Sequence, residues 1–420
     1  RRKNKERREW RGWWDEEGAE TFRREMGEVS LGEERVQEEW DRLEDKVKRT
    51  VEKIEEERGE GRVKGRGWWD EECREGKRIA RRKLREWRRG REREQEYKRA
   101  KREYQELCGR KKREETERWI WMAQEARTEG QVWEIVNRKR RGRGGVNEGI
   151  EGKEWKNYFM ELLGGVERRV TRGRREGRER DEEGEIRREE VEEVIKRLKG
   201  KKAAGIDGVT NEVWKYGGER VKVWIWEFCN RVWKGEGWPE IWKEGIVVPI
   251  LKRGEGVVVE DYRGVTLMPT AYKIYTAILA ERLKEEIEGK EIIPHNQTGF
   301  RKGMGTIDNI YVLNYLINKQ IEKEKGRLVA LFVDLKAAFD SVDRKVLCGA
   351  MRERGIREGL VERVEELLRE TKSRVRVGEE VSSEFWTARG LRQGCPLSPI
   401  LFNVLIADLE EKMNRVRWGG

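Results

Sequence analysis

The sharpest chemical feature of this chain is a single acid at the end of an apolar run. FVDLKAAFDSVDR, residues 332–344, brings Asp334 to the mouth of RLVALFVDL (327–335), which reads as a buried strand. A strand end is rigid, so a carboxylate there can hold a divalent cation in fixed geometry. Mg²⁺ suits such a site, because it takes a few carboxylates plus substrate phosphates and keeps several waters. The same spacing also suits an ordinary strand-ending acid. Phe339 lies five residues on, where the chain turns over the site. Asp340 reads as the N-cap of the helix that follows, with Asp343 at its third position, favoured by the helix dipole.

A second group is GLRQGCPLSPILFN, residues 390–403. Gln393 and Gly394 fall in a loop, and a glycine beside an amide lets backbone and side chain approach a ligand closely. Ser398 fits a helix N-cap and Pro399 a first helical residue. Read blandly, the stretch is a loop-to-helix joint. Other chemistries are excluded by composition. His295 is the sole histidine and the five cysteines form no CxxC pair. That rules out a Cys/His zinc site and serine–histidine catalysis.

The elements that must position these residues crowd the second half. A helix over 189–199 leads into the glycine-punctuated turn KKAAGIDGVT and a helical stretch over 211–234. EGIVVPILK (244–252) reads as a buried strand with a hairpin partner at Tyr262–Leu267. Amphipathic helices follow over 270–288 and 306–322, then the 327–335 strand. Helices over 342–355 and 359–370, short strands near SRVRV and 381–388, and a closing helix over 398–413 complete the pattern. Strands mixed with helices over a real apolar content predict an α+β fold.

The first half differs. Residues 1–165 read as a charged helical connector, and 166–188 have the composition of a disordered linker. Val36, Trp40, Leu43, Val47, Val51 and Ile54 recur at helical spacing. Residues 71–126 read as one long basic helix: a coiled coil, a nucleic-acid-facing helix or a solvated charged face. GWWDEE occurs at 12–17 and 67–72, too few copies for a repeat architecture. The net charge of +12 favours a polyanionic partner. No run approaches the length of a membrane span. The scattered cysteines suit a reducing compartment, so nucleus and cytoplasm are the expected locations.

FVDLKAAFD followed by RQGCPLSPILFN resembles the two consecutive palm motifs of reverse transcriptases. The resemblance extends upstream in order. KKAAGIDGVTNEVWKY (201–216) is similar to the opening block of the non-LTR (LINE-type) domain, and VVPILKRGEG…DYRGVTLMPTAYKIYTAILAERL (247–283) to the fingers. NQTGFRKGMGTIDNIYVL (296–313) resembles a block shared with group II intron relatives. Segment 65–165 resembles the connector between endonuclease and polymerase in insect-type elements. A group II maturase is disfavoured by that Trp-rich connector.

The resemblance implies an RNA-directed DNA polymerase with right-hand fingers and a partial palm over 189–420. Two Mg²⁺ ions, template RNA, primer DNA and dNTPs are the implied cofactors and partners. Asp334 matches the first palm aspartate, with the Leu335 carbonyl as a secondary metal ligand. Phe339 matches the ring that rejects a ribose 2′-hydroxyl, and Gln393 and Gly394 the nucleotide-contacting loop. Arg263 and Lys252 match the triphosphate grip, for which basic residues give charge-assisted bonds. Lys273, Gln297 and Arg301 match template contacts. One departure stands out: the family's paired-aspartate motif and thumb do not follow Asp408 before Gly420. With one carboxylate and a first residue that is not Met, the sequence reads as a fragment expected to be inactive alone. The alternative is a non-catalytic nucleic-acid-binding remnant of a decayed mobile element.

Overall fold

The helical spacing of residues 36–54 becomes one buried stripe: Val36, Trp40, Leu43, Val47, Val51 and Ile54 are all in the core. They line α2 (Val36–Arg58), which follows α1 (Glu16–Met26). A computed structural model describes residues 14, 16–58, 68–91, 93–126, 146–147, 149–167, 183–252, 256–323 and 326–415. Most of the expected linker, and residues 12, 13 and 15 of the first GWWDEE copy, lie outside these residues.

Two compact units emerge. One comprises 1–54 with 146–420, the other 55–145. Packing therefore divides the chain elsewhere than at 166–188, because α1 and α2 share a core with the later helices. Trp40 packs on Trp224, Phe228 and Trp242 in that core. Aromatic rings bury large area and prefer such tilted and edge contacts. Trp40, Trp155, Trp214, Trp224, Trp233 and Trp242 are fully buried, so much of the tryptophan content fills the interior.

In the smaller unit, the single basic helix expected over 71–126 is two, α3 (Glu71–Arg88) and α4 (Glu94–Gln124). The break falls at Gly90, whose φ of +68° favours glycine. Gly90 N–H donates to Trp87 O and Arg91 N–H to Glu86 O, which satisfies the last carbonyls of α3. Asp70 caps the other end by accepting from Cys73 N.

In the larger unit, α5 (Gly152–Leu162), α6 (Arg188–Arg197), α7 (Asn211–Tyr216) and α8 (Gly218–Lys234) precede β1 (Glu244–Leu251) and β2 (Tyr262–Leu267). The helical stretch 211–234 breaks at Gly218, φ +81°. There follow α9 (Thr270–Gly289), α10 (Thr306–Ile321), α11 (Arg344–Glu353) and α12 (Glu358–Leu368). β3 (Thr371–Val377), β4 (Glu380–Val381), β5 (Phe385–Thr387), α13 (Ser398–Leu405) and α14 (Leu409–Arg415) close the chain. The expected closing helix over 398–413 is thus interrupted at 406–408.

The sheet runs β2-β1-β3-β4, with β5 also on β3. β1 and β2 form the expected antiparallel pair, with Ile250 opposite Arg263. β3 joins β1 in parallel, with Val247 opposite Val375. Trp155 and Phe159 of α5 cover this sheet with Val247, Tyr262, Val375 and Phe385. The larger core lies among helices, including the buried face of α9: Ile274, Ile278, Leu279, Leu283 and Ile287. Helices and sheet together are an α+β architecture.

The strand expected over 327–335 is absent. Residues 326–335 carry no regular structure, and Val329 is 93% and Phe332 79% exposed. α10 buries none of its residues, with Ile307 80% exposed. The two lean on each other across an apolar groove of about 330 Å³, and Gln320 Nε2 donates to Arg327 O at 2.9 Å. An apolar run becomes a strand only where a neighbour accepts its backbone hydrogen bonds and a face covers its side chains. No described strand pairs with it.

Candidate functional site

Three pieces of chain meet beside the β1–β2 hairpin: the end of β2, the turns over 336–341, and the loop 390–395. Thr266 N–H of β2 donates to Gln393 O at 2.7 Å. Gln393 Nε2 donates to Asp340 Oδ2 at 2.8 Å. Leu391 N–H donates to Phe339 O and Gly390 N–H to Val342 O, both at 2.8 Å. Gly394 has φ +115°, and a Cβ there would sit 2.8 Å from Thr266 O. Glycine is required both by conformation and by the closeness of the strand.

Asp340 is not the helix cap the sequence suggested. Asp343 takes that place, with its Oδ1 accepting from Lys345 N and Val346 N at 2.7 and 3.1 Å. This frees Asp340 to hold Gln393. Burial pushes the Asp340 carboxyl up, while the Gln393 amide and the Lys252 charge pull it back. Ser398 likewise does not cap. It is the first residue of α13, and its hydroxyl donates to Arg392 O at 2.9 Å.

Two buried arginines underpin the loop, and the sequence reading missed both. Arg344 donates to the carbonyls of Gly390, Leu368, Thr387 and Arg389 and to the hydroxyls of Thr371 and Thr387. Arg392 donates to Trp242 O at 2.9 Å and to Lys243 O. In a chain with 96 Lys and Arg, nothing in composition marks these two. A cavity of about 20 Å³, large enough for one water, lies among Gly264, Thr266, Asp340, Arg344 and Gly390.

Phe339 is half-buried, stacked on Phe402 at 4.8 Å and edge-on to Phe300 at 6.0 Å. Lys252 and Arg263 are exposed at the far end of the hairpin. Lys252 N–H donates to Asp261 O at 2.9 Å and its Nζ to Glu260 O at 3.2 Å. Lys273, on α9, faces inward. Burial lowers its pKa, against the neighbouring Asp207 and Cys395. Asp207 is wholly buried, and burial reinforced by Glu44 pushes it up to about 7. Gln297 donates to Asn403 O at 3.0 Å, tying its loop to α13, and Arg301 donates to Pro294 O at 2.9 Å within the loop.

Asp334 and Leu335 are exposed in the irregular segment. Among the described residues no three Cys, His, Asp or Glu gather as metal ligands. A site with fewer than three such ligands does not fit a pair of divalent ions. Asp408 sits in the turn before α14, engaged by Arg354 at 3.2 Å and Lys412 at 2.7 Å, and its pKa is lowered chiefly by the Lys412 bond. Among the described residues no helix is long and apolar enough to cross a membrane.

Residues 250–417 match the reverse transcriptase (RNA-dependent DNA polymerase) family. The chain's curated relatives are proteins of retrotransposable elements. It is 29% identical over 237 residues to the probable RNA-directed DNA polymerase from transposon BS of Drosophila melanogaster, covering 53% of this chain and 25% of that protein. It is 30% identical over 223 residues to the RNA-directed DNA polymerase from mobile element jockey of the same organism, covering 53% and 24%. It is 28% identical over 260 residues to a retrovirus-related Pol polyprotein from type-1 retrotransposable element R2 of Nasonia vitripennis, covering 61% and 24%. The chain thus spans about a quarter of the length of these curated relatives.

Proposed function

We propose that this chain supplies the nucleotide-binding part of an RNA-directed DNA polymerase of a non-LTR retrotransposon, copying template RNA from a DNA primer with dNTPs. The observation that carries the reading is the loop 390–395, held against β2 and beneath Phe339 by the Gln393–Asp340 bond. In this reading Gln393 and Gly394 contact the incoming nucleotide, and Phe339 excludes a 2′-hydroxyl. Arg263 and Lys252 grip the triphosphate from the hairpin, which their exposure permits. Lys273, Gln297 and Arg301 act toward the template. Asp334, with the Leu335 carbonyl, is this chain's contribution to a Mg²⁺-dependent centre. Within the expected connector 1–165, residues 55–145 serve as the charged connecting unit.

The test is primer extension on an RNA template by a protein carrying the whole polymerase domain. Asp334→Ala is expected to abolish dNTP incorporation with Mg²⁺, and retained incorporation would remove Asp334 from the centre. Phe339→Val is expected to admit ribonucleotides; unchanged selectivity counts against the gate. A second reading, a non-catalytic nucleic-acid-binding remnant, is favoured by the exposure of Asp334 in an irregular segment. Binding of RNA without extension by that same intact domain would establish it over the first.

A further inference from the structure

The smaller unit sets two thiols against each other, and the proposed polymerase chemistry uses neither. Contacts at the two ends make α3 and α4 an antiparallel pair. At the turn end Trp87 stacks on Tyr97 at 5.6 Å and 7°. At the open end Lys111 of α4 pairs with Asp70 at 2.6 Å and Glu72 at 2.8 Å. Facing residues in such a pair advance in step, one helix forward and the other back. Three residues on from Asp70 is Cys73, and three back from Lys111 is Cys108. Gly76 brackets the same spot from the other side, since a Cβ there would meet Tyr104 Cδ2 at 3.3 Å and Leu107 Cδ2 at 3.4 Å. Ala80 and Ala100 are buried further along. Small residues at these positions let the helices close up. With axes about 8 Å apart and Cα atoms about 2.3 Å off each axis, facing Cα atoms come within the roughly 4.4–6.8 Å that a disulfide spans.

Both are free thiols, Cys73 buried and Cys108 half-buried. Burial pushes the Cys73 thiol up, and the neighbouring Cys108 adds to that push. Burial and a hydrogen bond with Cys108 push the Tyr104 hydroxyl up to about 12, and Cys73 acts on it in the same direction. Tyr104 therefore borders both sulfurs, and Trp69 lies edge-on to it at 6.1 Å. Cys73 Sγ donates to Trp68 O at 3.8 Å. A buried cysteine usually serves as a small apolar filler. That accounts for Cys73, but not for a second thiol, within reach of solvent, set opposite it. Cys229, Cys348 and Cys395 are buried in the larger unit. The ion pairs that close this end of the hairpin are partly exposed, so salt weakens them. The stacked rings at the turn end do not depend on salt in this way.

We propose that Cys73 and Cys108 are a redox modification site, a reversible disulfide that staples the open end of the α3–α4 hairpin when a low-molecular-weight disulfide such as oxidised glutathione accumulates. The Cys108 thiolate, the one within reach, attacks one sulfur of the small disulfide, forms a mixed disulfide and expels one small thiolate. The Cys73 thiolate then attacks the Cys108 sulfur, forms the protein disulfide and expels the second. Two electrons pass from the protein to the small disulfide, and the two thiol protons end on the two small thiols. Transient disulfides of this sensing kind occur even where thiols are kept reduced. The proposal does not depend on the polymerase reading, which stands or fails on nucleotide incorporation. Its test incubates the native full chain with graded ratios of oxidised to reduced glutathione, then alkylates it and maps peptides by mass spectrometry without reduction. A Cys73–Cys108 linked peptide is expected at least about tenfold more abundant than any other cysteine pairing, since thiols set apart cannot be bridged without backbone movement. Dithiothreitol should remove it. At high salt, amides of 71–76 and 108–111 should exchange with deuterium at least about tenfold more slowly in the linked form. C108S, a change at a half-buried position, should abolish both the link and the slowing, while C73S should stop at the mixed disulfide on Cys108. Linkage that needs denaturant overturns the proposal, as does glutathione retained on Cys108 of the unmutated chain with Cys73 left free. A link that leaves exchange unchanged overturns the staple.

Discussion

The β1–β2 hairpin with its loop and the segment 306–335 carry equally apolar sequence and end in opposite states. Val247, Val259 and Tyr262 are buried in the first. Ile307, Val329 and Phe332 are exposed in the second. α9 and α10 repeat the contrast, since both are amphipathic in sequence and only α9 finds a partner face. Apolar spacing specifies which residues will share a face; it does not supply what covers that face. Hydrophobic stabilisation comes from area removed from water, so the same pattern contributes little where nothing lies opposite.

The comparison can be pressed from the largest effect downward. Arg344→Met should cost about 3–5 kcal/mol in denaturant unfolding, because several buried carbonyls lose their donor at once. A cost below about 1 kcal/mol would mean the loop does not rest on this side chain. Asp207 gives a pH test. Its pKa is raised from 3.8 to about 7 by burial, so the folded state binds a proton the unfolded chain releases. Stability contributed by the neutral acid is therefore complete below 3.8 and lost as pH rises through about 7. Asp207→Asn should flatten that decline, worth about 2–4 kcal/mol between the ends of the window. An unchanged pH profile would show that Asp207 is ionised in the fold.

Gly394→Ala should cost about 1–3 kcal/mol, from the left-handed backbone and the encounter with Thr266 O. Full stability in that variant would show the loop standing off β2. The smallest effect belongs to the exposed segment. Phe332→Ser is expected to stay within about 0.5 kcal/mol. Amides of 327–335 should exchange with deuterium far faster than those of β1. Slow exchange, or a penalty like that of a core phenylalanine, would erase the contrast between the two regions.

Particular residues show how far the sequence was legible. Val36 through Ile54 declared a buried stripe, and EGIVVPILK with Tyr262–Leu267 declared a hairpin, since both follow from local periodicity. Gly90 was legible as a possible break only in hindsight, because a glycine inside a basic helical run is tolerated as often as it ends one. Asp340 and Asp343 both fit a cap locally; which one caps depended on where Gln393 arrived, fifty-three residues on. Arg344 and Arg392 could not be singled out among so many cations.

The sequence by itself determined the order of the blocks from KKAAGIDGVT to RQGCPLSPILFN, the α+β content and the similarity to reverse transcriptases. Those rest on residue identity and short-range spacing. The tertiary structure alone decided that Asp340 holds Gln393, that two buried arginines support the loop, and that Asp334 is exposed in an irregular segment. Such facts depend on which distant segments meet, and burial, pairing and pKa are properties of the meeting, not of the residue.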